Sequence, residues 1–370
     1  ERVNGVQERT GKLLRSTVKW VLSIVIGVLF VHLAMNDWPA GDMLAGGVRL
    51  EGWLLATDTW RVHIGWFPLY FLTLVSMHIF RVWRWQPLLD PIARVGFWDL
   101  NRVCSVGFLA VFVLPIRVGE FVRPALLSTT AHVRKSAGLA TIVVERVIDG
   151  VMVAGFLAVA LVFMPRTNAS SFTELRIGTL VALALFAGLV LMLVLMFVFR
   201  TRLTSFIQVV SGRLSGRLAV RLTGMTDRFT QGLAVFPDAK KFLWFLFLSF
   251  LYWTSNGIGL YILAYGFGLG QVGLLGAFAM MSTIVVGMMI PNAPANVGTF
   301  WYFLLKPTEL YGVTAGNPAA LAYALAVWSL QLLQLVIFGG WYILRGDVSM
   351  RRAFVPGATP DDEAGTDAAT

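Results

Sequence analysis

Runs of about twenty apolar residues recur along this chain, each closed by arginine or lysine, and that pattern restricts the fold more than any single motif does. A helix needs about 20 mostly apolar residues to cross a ~30 Å hydrocarbon core. In lipid, only helices and closed barrels satisfy every backbone N–H and C=O internally. Hydrophobic residues make up 57% of the 370 and charged residues only 14%, against roughly 25% charged in a soluble domain. The expected fold is an all-α polytopic membrane protein, with about six full transmembrane helices, two re-entrant hairpins and one membrane domain over residues 14–345.

The spans follow from the apolar runs. Residues 1–13 are a polar N-terminal segment, and the first span is expected from Leu14 to Met35. No small-residue cleavage site follows it, so it is expected to remain as an anchor. Residues 36–65 hold Asp37, Asp42, Glu51 and Asp58 with several tryptophans, and fit an external loop at the headgroup layer. Further spans are expected over Trp66–Leu89, Ala137–Met164, Leu175–Phe199, Phe242–Phe267 and Pro318–Leu344. Arg81, Arg84 and Arg94 close the first of these and are read as a cytoplasmic boundary.

Two apolar stretches are interrupted. Residues 97–127 contain Pro115, Arg117, Gly119, Glu120, Arg123 and Pro124, and basic residues flank them on one side. Residues 272–305 break at Pro291 to Gly298. Broken segments at corresponding positions in two halves point to a central binding site, so an inverted pair of re-entrant hairpins is expected, one from each face.

The net charge is +10. It lies in loops and at span ends, where it sets orientation and attracts anionic headgroups. With no basic soluble domain left over, nucleic acid is not an expected partner. The strongest orientation signal is residues 200–241. There, apolar residues three and four apart form one helical stripe, with Arg213, Arg217, Arg221 and Arg228 beside it. The expected object is an amphipathic helix on the inner leaflet; a plain connecting helix packed on the protein is the alternative. Both termini are then cytoplasmic in a bacterial inner membrane, and residues 346–370 form a flexible tail.

Charges inside spans carry the functional reading. Glu145, Arg146 and Asp149 lie in the Ala137–Met164 run. Arg146 sits about 15 Å along that helix at 1.5 Å per residue. Each charge at such depth costs about 2.5–3.5 kcal/mol on the insertion scale, while a leucine returns only about 0.3–0.6 kcal/mol. The groups therefore need partners or water. Arg117, Glu120 and Arg123 recur at intervals of three and share a face if helical. The first trio carries one net negative charge and the second one net positive charge, so the two are expected to meet in the bundle interior. One outcome is an ionic lock that fixes helix packing. The other is a polar cavity for a lipid headgroup, since the guanidinium fork matches phosphate and membrane-buried ionisable residues are functional candidates.

Other chemistry is thinly represented. His32, His63, His78 and His132 show no metal-ligand spacing, Cys104 is the single cysteine, and no phosphate loop of the P-loop type occurs. No metal, cofactor or catalytic residue is expected. Asn168 to Ser170 matches a glycosylation sequon, a pattern common by chance.

The three motifs together resemble one family. Leu114 to Pro124 resembles the P-x-x-x-G-E-x-x-R signature of the lysylphosphatidylglycerol synthase transmembrane-domain family, whose members are also described as flippase-like. Glu145 to Asp149 resembles its E-R-x-x-D motif, and Pro291 to Gly298 its late P-x-x-P-G-x-x-G turn. Ala295 stands where the late motif usually has glycine, and Trp301 where an acidic residue often follows. The resemblance implies a lipid-handling domain whose substrate is an anionic phospholipid or a polyprenyl-linked or other glycolipid. It also implies a stand-alone member without the aminoacyl-transferase domain of the bifunctional relatives.

The expected function is therefore a lipid translocase. Arg117, Glu120, Arg123, Glu145, Arg146, Asp149, Pro291, Pro294, Asn296 and Gly298 would form its substrate site. The alternatives are a membrane-embedded transferase or accessory subunit, and a structural protein that docks a partner enzyme through the basic segment. A homo-oligomer is compatible with each.

Overall fold

The computed structural model describes residues 60, 63–114, 119–131, 133–163, 170–199, 202, 205, 238–289, 294–297, 299–313 and 317–346. The expected first span, most of the 36–65 loop, Arg117, the arginines at 213, 217, 221 and 228, Pro291, Gly298 and residues 347–370 lie outside them. Among the described residues every regular element is helical. Among the same residues five helices, Lys135–Phe163, Arg176–Met196, Ala239–Gly266, Gly270–Met288 and Pro318–Leu344, are long and apolar enough to cross a membrane, which makes this a multi-pass, all-α membrane protein.

Helix α1 (Phe67–Trp83) ends earlier than the apolar run suggests, and a short helix α2 (Gln86–Leu89) follows. Pro87 accounts for the break: it lacks an N–H, and in a continuous helix its ring would meet the carbonyl four residues back, at Trp83. Helix α5 (Lys135–Phe163), α6 (Ser170–Val198), α7 (Ala239–Gly266) and α10 (Pro318–Leu344) cover the other four expected spans within a few residues.

Glycines bring these helices close, as expected where dispersion rather than hydrophobic exclusion holds helices together. A Cβ on Gly259 would fall 2.2 Å from Thr73 Oγ1, and one on Gly266 would fall 2.5 Å from the Trp66 ring. Helices α1 and α7 therefore run antiparallel, the start of one beside the end of the other. Helix α6 packs chiefly on α5, where Phe186 occupies the space beside Gly150. Its Leu180, Val181, Leu185 and Leu191 are exposed, as suits a helix whose solvent is lipid.

Both interrupted stretches are folded hairpins. In the first, α3 (Phe97–Val113) returns as α4 (Val122–Thr130). Leu114, before Pro115, is extended, as steric clash with a following proline requires. Gly119 then lies against the backbone of Ala110 and Val111, and Arg123 lies against Gly107. In the second, α8 (Gly273–Met289) returns as α9 (Thr299–Leu305) through a 3-10 turn at Pro294–Asn296. Thr283 Oγ1 donates to the Phe303 carbonyl at 2.7 Å, and the Phe303 ring fills the space beside Gly287.

The hairpins open at opposite ends of the bundle. Helix α3 begins beside the end of α10, where Asn101 Nδ2 donates to Tyr342 Oη at 2.8 Å. Helix α8 begins directly after the end of α7. The Pro294–Asn296 turn packs on α3, and Trp328 Nε1 of α10 donates to the Ala295 carbonyl at 2.8 Å.

Candidate functional site: an ion-pair cluster beside a membrane-level cavity

Helix α5 carries Glu145, Arg146 and Asp149 about 15–21 Å from its start at 1.5 Å per residue. The first hairpin supplies Arg123 and Glu120. The break after α1 supplies Arg84, and α7 supplies Trp253. A carboxylate this far from water is tolerated only if its oxygens are fully engaged, and here they are. Glu145 Oε1 accepts from Arg84 Nη2 at 2.8 Å and from Arg146 Nη2 at 2.6 Å, while Oε2 accepts from Arg123 Nη2 at 3.0 Å. Asp149 accepts from Arg84 Nη1 at 2.5 Å, Arg84 Nη2 at 2.9 Å and Trp253 Nε1 at 3.0 Å.

Aromatic faces complete the lock. The Arg84 guanidinium lies 4.4 Å from the Tyr252 ring centre and that of Arg123 lies 4.2 Å from Trp85. Such contacts strengthen when both partners are desolvated. Trp85 is itself held by its Nε1 hydrogen bond to Thr141 Oγ1 at 3.0 Å.

The cluster has a sealed side and an open side. The side chains of Arg84, Arg123 and Glu145 are 0% exposed, whereas that of Arg146 is 28% exposed. Arg146 reaches from the cluster to a cavity of about 110 Å³ lined also by Arg81, Tyr252, Asn256, Gln331 and Gln334. Arg81 stacks on Phe108 at 3.5 Å from the ring centre. No carboxylate among the described residues pairs with it. The Nε atoms of both Arg81 and Arg146 are buried without a hydrogen-bond partner. Across Arg81, Arg84, Arg123 and Arg146 against Glu120, Glu145 and Asp149, the described site holds one cation in excess.

Several expected site residues sit elsewhere than on the cavity wall. Arg123 and Glu145 face each other inside the sealed part, Asp149 faces Arg84, and Glu120 lies 3.9 Å from Arg146 at the rim. Pro294 opens the turn of the second hairpin. Asn296 is buried there at positive φ, and its Nδ2 is without a partner. Ala295 also takes a left-handed conformation (φ 56°), which explains physically why glycine suits that position. Among the described residues, no group of three or more His, Cys, Asp and Glu is placed to hold a metal.

Sequence reasoning missed Arg81 and Arg84 by reading them as the basic end of a span. A signal was present: Trp85, Pro87, Leu88 and Leu89 continue the apolar character beyond both arginines, so these were not the last residues before water. Gln331 and Gln334, polar residues within the apolar run of α10, also line the cavity.

No curated protein and no solved structure matches the chain. A family model, the lysylphosphatidylglycerol synthase TM region, matches residues 20–339. That stretch contains both hairpins, the Glu145–Asp149 motif and the cavity, and the chain therefore belongs to the lysylphosphatidylglycerol synthase transmembrane-region family, membrane proteins of lipid synthesis or translocation.

Proposed function

We propose that this protein is a lipid translocase of the bacterial inner membrane, moving an anionic phospholipid or a lipid-linked anionic headgroup between leaflets. The observation that carries the reading is the pairing of a locked ion cluster with a cavity whose wall presents Arg81 and Arg146. An ionic lock alone has no use for an arginine that extends from its carboxylates to a cavity wall, or for a second arginine without a carboxylate. A headgroup phosphate gives Arg81 a partner at membrane depth, where an unpaired charge is costly, and meets Arg146 on the side that its carboxylates leave open.

In this reading the hairpins are re-entrant, one from each face, and their turns meet near the bilayer middle beside the cavity. The headgroup passes between them while the acyl chains stay in lipid. Arg84, Arg123, Glu145 and Asp149 hold Arg146 in place, and Glu120 modulates it from the rim. Arg117, Pro291, Pro294, Asn296 and Gly298 shape the path at the two turns. Both termini lie in the cytoplasm, and Arg213, Arg217, Arg221 and Arg228 rest the intervening segment on anionic headgroups. Movement is passive or ion-coupled.

The test is reconstitution into vesicles carrying a fluorescent phosphatidylglycerol, with dithionite reporting inter-leaflet exchange. Wild type is expected to exchange the lipid at least tenfold faster than Arg146→Ala, with both variants equally folded. Equal rates would sink the proposal.

A further inference from the structure

Resting on the headgroup reading above, we propose that the cavity selects phosphodiester lipids whose headgroup bears hydroxyls, a glycerol or a sugar, and rejects headgroups that carry an amine. Three observations lead there.

First, the charge on the wall is all of one sign. Arg81 and Arg146 line the cavity, and no carboxylate is among the described residues that do. An ammonium group placed between two guanidinium groups is repelled, and repulsion is strongest where water is scarce.

Second, the carboxylates beside the cavity already face arginines. Glu145 is taken by three arginines and Asp149 by Arg84, Arg146 and Trp253. Glu120 faces Arg146 at 3.9 Å. Two of the aromatic faces on the wall are also occupied, Phe108 by Arg81 and Tyr252 by Arg84.

Third, the remaining polar lining is uncharged, three carboxamides and the Tyr252 phenol. Asn256, Gln331 and Gln334 each offer an oxygen acceptor and N–H donors, the complement of a hydroxyl, which is both donor and acceptor. Gln331 is steadied by donating to Tyr70 Oη at 3.1 Å, and Gln334 lies 3.5 Å from His78 Nδ1. The guanidinium groups of Arg81 and Arg146 on the wall supply the phosphate donors. The cavity therefore carries two features in one volume, an anion pair-site and a neutral hydrogen-bonding wall, that fit phosphate and polyol together.

The experiment is competitive lipid retention by the full chain, read by native mass spectrometry from nanodiscs holding equal amounts of phosphatidylglycerol, phosphatidylinositol and lysylphosphatidylglycerol. The two hydroxylated lipids are expected to be retained at least tenfold over the lysylated one. In Arg81→Glu, which places a carboxylate on the wall, the preference should shift at least tenfold towards the lysylated lipid. Arg81→Gln, a milder change, should lose the preference without reversing it. Lysylphosphatidylglycerol retained by wild type as well as phosphatidylglycerol overturns the selectivity, as does an unchanged preference in the folded Arg81→Gln protein. Displacement of the lipids by an equal concentration of soluble glycerol phosphate overturns a lipid source for the bound group. Selective retention without exchange between leaflets removes the translocase reading and leaves the selectivity standing.

Discussion

Arg84 grips Asp149 with both terminal nitrogens, Nη1 to Oδ1 at 2.5 Å and Nη2 to Oδ2 at 2.9 Å, and its Nη2 also reaches Glu145. One guanidinium thereby ties the break after α1 to two consecutive turns of α5. Planar bidentate pairing needs this fork; an ammonium offers a point charge instead.

Removal of Arg84 leaves Asp149 and Glu145 short of a partner in the sealed part of the site. Breaking a buried pair from one side costs about 3–5 kcal/mol, so Arg84→Ala is expected to lower stability by that order. Arg84→Lys should recover only part of it. Unfolding in mixed detergent micelles measures both; a loss under about 1 kcal/mol for Arg84→Ala contradicts the ion-lock assignment.

Trp253 contributes one hydrogen bond to the same carboxylate, at 3.0 Å. Hydrogen bonds to charged groups contribute about 1.5–3 kcal/mol. Trp253→Phe keeps a ring in place and should lose an amount in that range. In an Asp149→Asn background the loss should shrink, which a double-mutant cycle reads directly.

The first hairpin depends on close approach at Gly119. A Cβ there would lie 2.2 Å from Val111 N and 2.3 Å from Ala110 C, and backbone atoms cannot rotate away. Overpacking costs about 1–3 kcal/mol, so Gly119→Ala should sharply reduce folded yield. Gly155→Ala is the control, since nothing lies within 4 Å of its added Cβ. Equal yields of the two variants in detergent extracts would count against the tight return.

At the second hairpin, Ala295 holds φ 56°. A left-handed non-glycine residue costs about 1–2 kcal/mol. Ala295→Gly removes that strain, partly offset by the entropy of a freer unfolded chain, and should raise or preserve stability. Ala295→Val should lower it, because a β-branched side chain tolerates this region poorly. Thermal unfolding of the three proteins orders them Gly, Ala, Val if the turn is as described.

Much of the architecture was legible in the residues. Lipid leaves a helix no choice of backbone partner, so the runs ending at Leu344 and Phe267 gave their helices almost to the residue. Proline and glycine marked both hairpins because Pro115 cannot continue α3 and Gly119 alone admits the returning backbone. The site was less legible. Glu145, Arg146 and Asp149 stood out by their cost at depth, yet their partners come from elements distant in sequence. Arg84, which touches both carboxylates, looked like an ordinary basic flank.

The residues alone establish that the chain crosses a membrane as helices, where the chain turns back, and that α5 must find cations for its carboxylates. Those conclusions rest on local quantities: apolar length, backbone stereochemistry and the cost of a lone charge in hydrocarbon. Tertiary structure decided which cations answer, which of them are sealed, and that Arg146 and Arg81 alone among the arginines of the described site line the cavity. Pairing of charges depends on which helix faces meet. That is fixed by long-range packing such as Gly107 beneath Arg123 and Gly259 against α1, and no local stretch of sequence contains it.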